Sequence, residues 1–143
     1  MRRLKISQPV LLLAVLVLLL LQDPLGLVRM ALAASLLHEA GHVAVFRLYK
    51  GRWPVLRISA RGIGMQLWGE WFTPSQQLWL AAAGPLANFL ISGLVLLWLG
   101  HRASYAGYFF ASTNLCVGLF NLLPLGPLDG RRIWQALRQG HGS

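Results

Sequence analysis

Only four of the 143 residues are acidic, and one is a cysteine. The lone Cys116 excludes an internal disulfide framework; within its apolar run it reads as a small packing residue. Charged residues make up just 12% of the chain, far short of the quarter or so found in soluble domains, so a fully water-facing surface is excluded. There is also no internal repeat, no low-complexity linker and no sign of a second soluble domain. What fills the chain instead is apolar: 56% hydrophobic residues and a mean hydropathy of +0.56, the profile of an integral membrane protein. The formal charge of +9 does not indicate nucleic acid, because the thirteen Lys and Arg are scattered around the apolar blocks rather than gathered on one polar element.

Four apolar blocks predict four transmembrane helices, at about 6–22, 25–48, 77–99 and 103–123. The first follows Arg2, Arg3 and Lys5 like a signal peptide. The stretch "LLQDPLGLV" after it lacks a small-x-small cleavage site, so a retained signal anchor is expected. The segment "KGRWPVLRISARGIGMQLWGEWFTPSQQ" holds four basic residues and three tryptophans and is not a span. Its alternation at 57–67 predicts a small membrane-associated β-hairpin turning near Arg61-Gly62, serving either as an edge for an extended substrate or as a surface anchor. An interfacial helix is expected at about 129–139. The fold class is thus an all-α polytopic membrane protein with this hairpin between the second and third spans, forming a single membrane-embedded domain over 1–143. Trp53, Trp68, Trp71, Trp79 and Trp98 suit interfacial belts. Basic residues flank one side of the spans, from Arg2 through Arg47–Arg61 to Arg138, which places both termini in the cytoplasm of a multi-pass protein in a prokaryotic cell membrane.

Against that background "HEAGH" at 38–42 is out of place. An ionisable side chain at the centre of a membrane helix costs about 2.5 to 3.5 kcal/mol on insertion scales, so such residues tend to mark a site. His38 and His42 are four apart and share a helical face; Glu39 lies beside them. Two neutral imidazoles can bind one Zn²⁺, and the carboxylate can shuttle a proton between water and a leaving amine. The competing reading is a pair of polar residues bonding between helices. A catalytic zinc needs a third protein ligand, and Asp129 is the natural candidate among the four acidic residues. Pro124, Gly126 and Pro127 forbid a regular helix before it, and the topology brings the ends of the second and fourth spans to one side. Locally Asp129 could equally be an exposed turn residue before Gly130.

"HEAGH", "AGPLANFL" and "NLLPLGPLDG" together resemble the site-2 protease family of intramembrane zinc metalloproteases, in its compact sporulation-factor-processing form. The resemblance implies His38, His42 and Asp129 as zinc ligands, Glu39 as general base and acid, and Asn121 near the reacting peptide. Gly126 stands where the family often has a proline, which alters the stiffness of the Asp129 loop. Asn88 either ties helices together or contacts substrate backbone, Asn121 either caps a broken helix end or donates to an oxyanion, and Asn114 reads as helix glue. His101 and His141 lack partners at ligand spacing.

The expected activity is zinc-dependent endopeptidase cleavage of a transmembrane or membrane-associated protein near the cytoplasmic side. The expected cofactor is one Zn²⁺ per chain, and the partners are that substrate and the lipid bilayer, with room for a regulatory membrane protein and none for nucleic acid. The alternative is a non-catalytic membrane adaptor on the same scaffold. A metal transporter fits less well, since one His-His-Asp cluster supplies no relay across the membrane.

Overall fold

A computed structural model describes residues 9–59, 62–66 and 70–140. The basic residues Arg2, Arg3, Lys5 and Arg61, and also Trp68 and His141, lie outside that set. Five helices follow in order: α1 (Pro9–Leu21), α2 (Leu27–Lys50), α3 (Pro74–Leu99), α4 (Tyr105–Asn121) and α5 (Asp129–Gly140).

Local chemistry explains where the helices begin and end. Gly26 and Gly51 flank α2 at φ 73° and 66°, left-handed values that end a helix cheaply only at glycine, so α2 is shifted by two residues from the expected 25–48. Thr73 caps α3 with a capping box to Gln76, and Pro74 occupies the first turn, starting the helix three residues before the expected 77. The Ser104 hydroxyl accepts from the Gly107 N–H and starts α4.

Length and composition single out one of these helices as a span. Among the described residues only α3, with 26 residues, is long and apolar enough to cross a bilayer on length and composition. The described α1 has 13 residues and α4 has 17, or about 20 and 25 Å of helix against a hydrocarbon core of about 30 Å.

Between α2 and α3, β1 (Val55–Ser59) and β2 (Gly62–Gln66) pair antiparallel, with Val55 opposite Gln66 and Ser59 opposite Gly62. The ends of this segment are tied together. Lys50 Nζ donates to the Trp71 carbonyl at 2.7 Å, and Arg52 pairs with Glu70.

Helix α3 is the hub, packing on α2, α4 and α5. Its contacts are made by small residues. A Cβ at Gly41 of α2 would meet the Ala83 carbonyl oxygen at 2.5 Å, and Ala34, Ala81, Ala83, Ala111 and Ala136 are buried. Ser92 of α3 donates to the Ala111 carbonyl of α4 at 2.9 Å. This is the close, small-residue packing that lets helices associate without a hydrophobic drive between them. Many large apolar side chains point outward, with Leu48, Leu90 and Leu97 81%, 64% and 74% exposed, while Phe46, Leu80 and Leu99 are buried. Cys116 is also exposed, not the packing residue its apolar surroundings suggested, because the buried face of α4 is taken by Ala111, Asn114 and Gly118. Trp53, Trp71, Trp79 and Trp98 are exposed.

Candidate metal centre

Helix α2 supplies His38 and His42, one turn apart, with ring centroids separated by 4.8 Å and the rings edge to face at 81°. The chain that leaves α4 cannot continue as helix through Pro124 and Pro127, and Gly126 turns at φ 43°. It re-enters helix at Asp129, the first residue of α5. Gly130 makes that re-entry possible by lying against the backbone of Leu122 and Leu123, where a side chain would collide. Asp129 is thereby brought under α2, with Oδ2 at 2.9 Å from His38 Nε2 and 3.1 Å from His42 Nε2. It is 6% exposed, so the exposed-turn reading of Asp129 is excluded.

The third wall is α3. Gly84 faces both imidazoles, and a Cβ there would overlap His42 Nε2 and stand 2.6 Å from His38 Nε2. Pro85 follows, removing the N–H that Ala81 would accept and crowding that carbonyl, so the helix is loosened where the histidines press on it. One residue earlier, the Leu80 carbonyl accepts a hydrogen bond from His42 Nδ1 at 2.8 Å.

That bond decides what the site can hold. A backbone carbonyl only accepts, so Nδ1 of His42 carries the proton, and in the neutral ring Nε2 presents a lone pair. The lone pair points at a carboxylate oxygen and at His38 Nε2, 3.1 Å from each. Acceptors crowded together in a buried place repel one another unless a cation lies among them. The three ligand atoms fall within 4.8 Å of one another, and no other such group of His, Cys, Asp and Glu occurs among the described residues. Two imidazoles and one carboxylate are a donor set suited to Zn²⁺ with a fourth position open.

Glu39 sits beside this cluster, half-buried, within electrostatic reach of His38, His42, Asp129 and Arg132. Asn88, expected at the substrate or between helices, is wholly buried behind His38, whose Nδ1 is 2.7 Å from its Oδ1. Asn121 closes α4, its amide donating to the Val117 carbonyl at 2.9 Å. His101 stands in the exposed loop before α4, away from the cluster. Sequence reasoning missed one contributor, the Leu80 carbonyl, which has no side-chain signature; Gly84 beside Pro85 suits a kink and close helix approach by sequence, and it is the histidine rings that approach it.

Comparison with known proteins places this arrangement. Residues 100–142 match the family model described as Peptidase family M50. Rip3 of Mycobacterium tuberculosis, assigned by name to the zinc metalloproteases, is 34% identical over 122 residues, covering 79% of this chain. A zinc metalloprotease of Methanocaldococcus jannaschii is 34% identical over 108 residues, covering 71% of this chain. The solved site-2 protease from Methanocaldococcus jannaschii superposes with a TM-score of 0.66 at 26% identity, covering 94% of this chain and 65% of that one. The chain is a relative of the site-2 proteases. It spans 31% of the length of each of the two sequence relatives. Of the three residues that converge in space here, Asp129 lies within the stretch matched by the family model.

Proposed function

We propose that the protein is a zinc-dependent intramembrane endopeptidase that cleaves a transmembrane or membrane-associated protein near the cytoplasmic face. The observation that carries this reading is the convergence of three acceptor atoms from His38, His42 and Asp129 beside the half-buried carboxylate of Glu39. The apolar exterior of α2, α3 and α4 supports placing that cluster within a bilayer, with 1–143 acting as one membrane-embedded domain and both termini cytoplasmic.

His38 and His42 from α2 and Asp129 from α5 would hold the metal. When bound, zinc supplies Lewis acidity toward a peptide carbonyl and makes hydroxide available near neutral pH. The rest of the chemistry belongs to the chain. Glu39 takes a proton from the attacking water and returns it to the departing nitrogen, so it acts first as base and then as acid. Asn121 lies at the broken end of α4, where its amide hydrogens could serve the developing oxyanion in exchange for the Val117 bond.

The test is Glu39→Gln in purified full-length protein, with zinc content and cleavage of a membrane-inserted substrate measured together. Zinc retained with cleavage reduced by about 10² to 10⁴-fold is the expected result. Equal cleavage by both forms overturns the assignment of Glu39, and zinc-binding wild type that cleaves no membrane substrate points to an adaptor on this scaffold.

A further inference from the structure

His38 is held from behind by a line of side chains that ends in α4. Asn114 Nδ2 donates to the Phe110 carbonyl at 2.9 Å, a backbone acceptor that fixes which end of this amide is nitrogen. Asn114 Oδ1 therefore faces Asn88 and accepts from its Nδ2 at 2.9 Å. The same Nδ2 donates to the Ala34 carbonyl at 3.0 Å, so the Asn88 amide is fixed twice over. Its Oδ1 is left facing His38 Nδ1 at 2.7 Å, and that nitrogen must carry the proton. Both asparagines are 0% exposed, and every donor in the line points the same way, from the imidazole through Asn88 and Asn114 to the Phe110 carbonyl.

We propose that Asn88 and Asn114 are positioning residues that set the tautomer of His38, and that α4 takes part in the metal centre through Asn114. The inference rests on the zinc reading given above. His42 has a backbone carbonyl to set its tautomer, whereas His38 has only this relay. If Asn88 turned over, its NH₂ would face Nδ1, the proton would move to Nε2, and the nitrogen beside Asp129 would cease to be a ligand. Asn114 opposes that turn together with the Ala34 carbonyl, each offering Asn88 an acceptor on the correct side, so loss of one of the two weakens the preference without abolishing it. The relay also explains two asparagines in the most buried part of a membrane protein: each amide group in it is bonded, so neither adds an unpaired polar group.

The experiment uses the full chain in detergent micelles, free of metal, with ¹⁵N-labelled histidine. His38→Gln identifies the His38 signals. Wild type is expected to show His38 protonated at Nδ1, Asn114→Leu to show a mixture of tautomers, and Asn114→Asp, which keeps an acceptor toward Asn88, to restore the wild-type signal. Zinc affinity, measured by chelator competition, should fall at least about tenfold in Asn114→Leu and recover in Asn114→Asp. An unchanged His38 tautomer in Asn114→Leu overturns the relay, as does equal loss in the Leu and Asp variants. If Asn114→Leu does not fold, Asn88→Asp, which retains the acceptor toward His38, and Asn88→Leu decide the matter by the same readouts. Failure of wild type to bind zinc would overturn the proposed activity, while the histidine spectra would still decide the relay.

Discussion

Gly84 on α3 lies so near His38 on α2 that a Cβ at position 84 would stand 2.6 Å from the imidazole Nε2. The hydrogen of one glycine is thus the floor on which the candidate metal cluster rests. Gly84→Ala is expected to push both rings apart, costing about 1–3 kcal/mol in packing strain and lowering zinc occupancy. Thermal denaturation together with metal analysis checks this; an alanine variant that binds zinc like wild type would show that the rings have room the structure does not reveal.

Asp129 supplies the only carboxylate in the cluster. Outer partners of zinc ligands cost about 10 to 100-fold in affinity when removed, so Asp129→Asn, which alters a ligand itself, should exceed that range. Chelator competition on purified protein gives the number. Thermal stability should fall less, since the amide keeps the shape of the side chain.

Removal of metal tests the cluster from the other side. A chelator such as 1,10-phenanthroline should abolish cleavage, and added Zn²⁺ should restore it. Because a ligand that binds only the folded state stabilises it by mass action, the melting temperature should rise with free zinc concentration. A melting temperature independent of zinc would contradict a folded-state site at His38, His42 and Asp129.

Asp23, at the entrance to α2, provides a pH-dependent prediction away from the cluster. Burial acts to raise its pKa, but the backbone N–H groups of Arg29, Val28 and Leu27 and the Arg29 guanidinium outweigh that and hold it below the ordinary aspartate value. The Arg29 N–H lies 3.1 Å from Oδ2. A carboxylate with a depressed folded-state pKa contributes stability that is present above its unfolded-state value and lost as pH falls through the folded one. Asp23→Asn should therefore lower the melting temperature at pH 7, and the gap to wild type should close as the pH falls below the ordinary aspartate value. A gap that stays constant with pH would show that Asp23 acts through packing alone.

Much of the site was legible before folding because its chemistry is rare in its surroundings. With four acidic residues in the chain, Glu39 and Asp129 had few competitors, and the four-residue spacing of His38 and His42 sets a shared face by helix geometry alone. The interruption of helix by Pro124 and Pro127 could be read in the same way. Element ends were less legible. The start of α3 at Pro74 depends on a reciprocal cap between Thr73 and Gln76, in a segment whose polarity reads as loop. Asp23 reads as a loop residue and is in fact 4% exposed, because α2 offers it three backbone donors.

The amino-acid order by itself determined the apolar character of the helices, the pairing of His38 with His42 and the identity of the carboxylates, since these depend on composition and on spacings within a few turns. Only the tertiary structure decided which atoms meet. The bonds to His38 and His42 span 38 to 91 residues, to the Leu80 carbonyl, Asn88 and Asp129, and a hydrogen bond's direction is set by the group across from it, which no local pattern specifies.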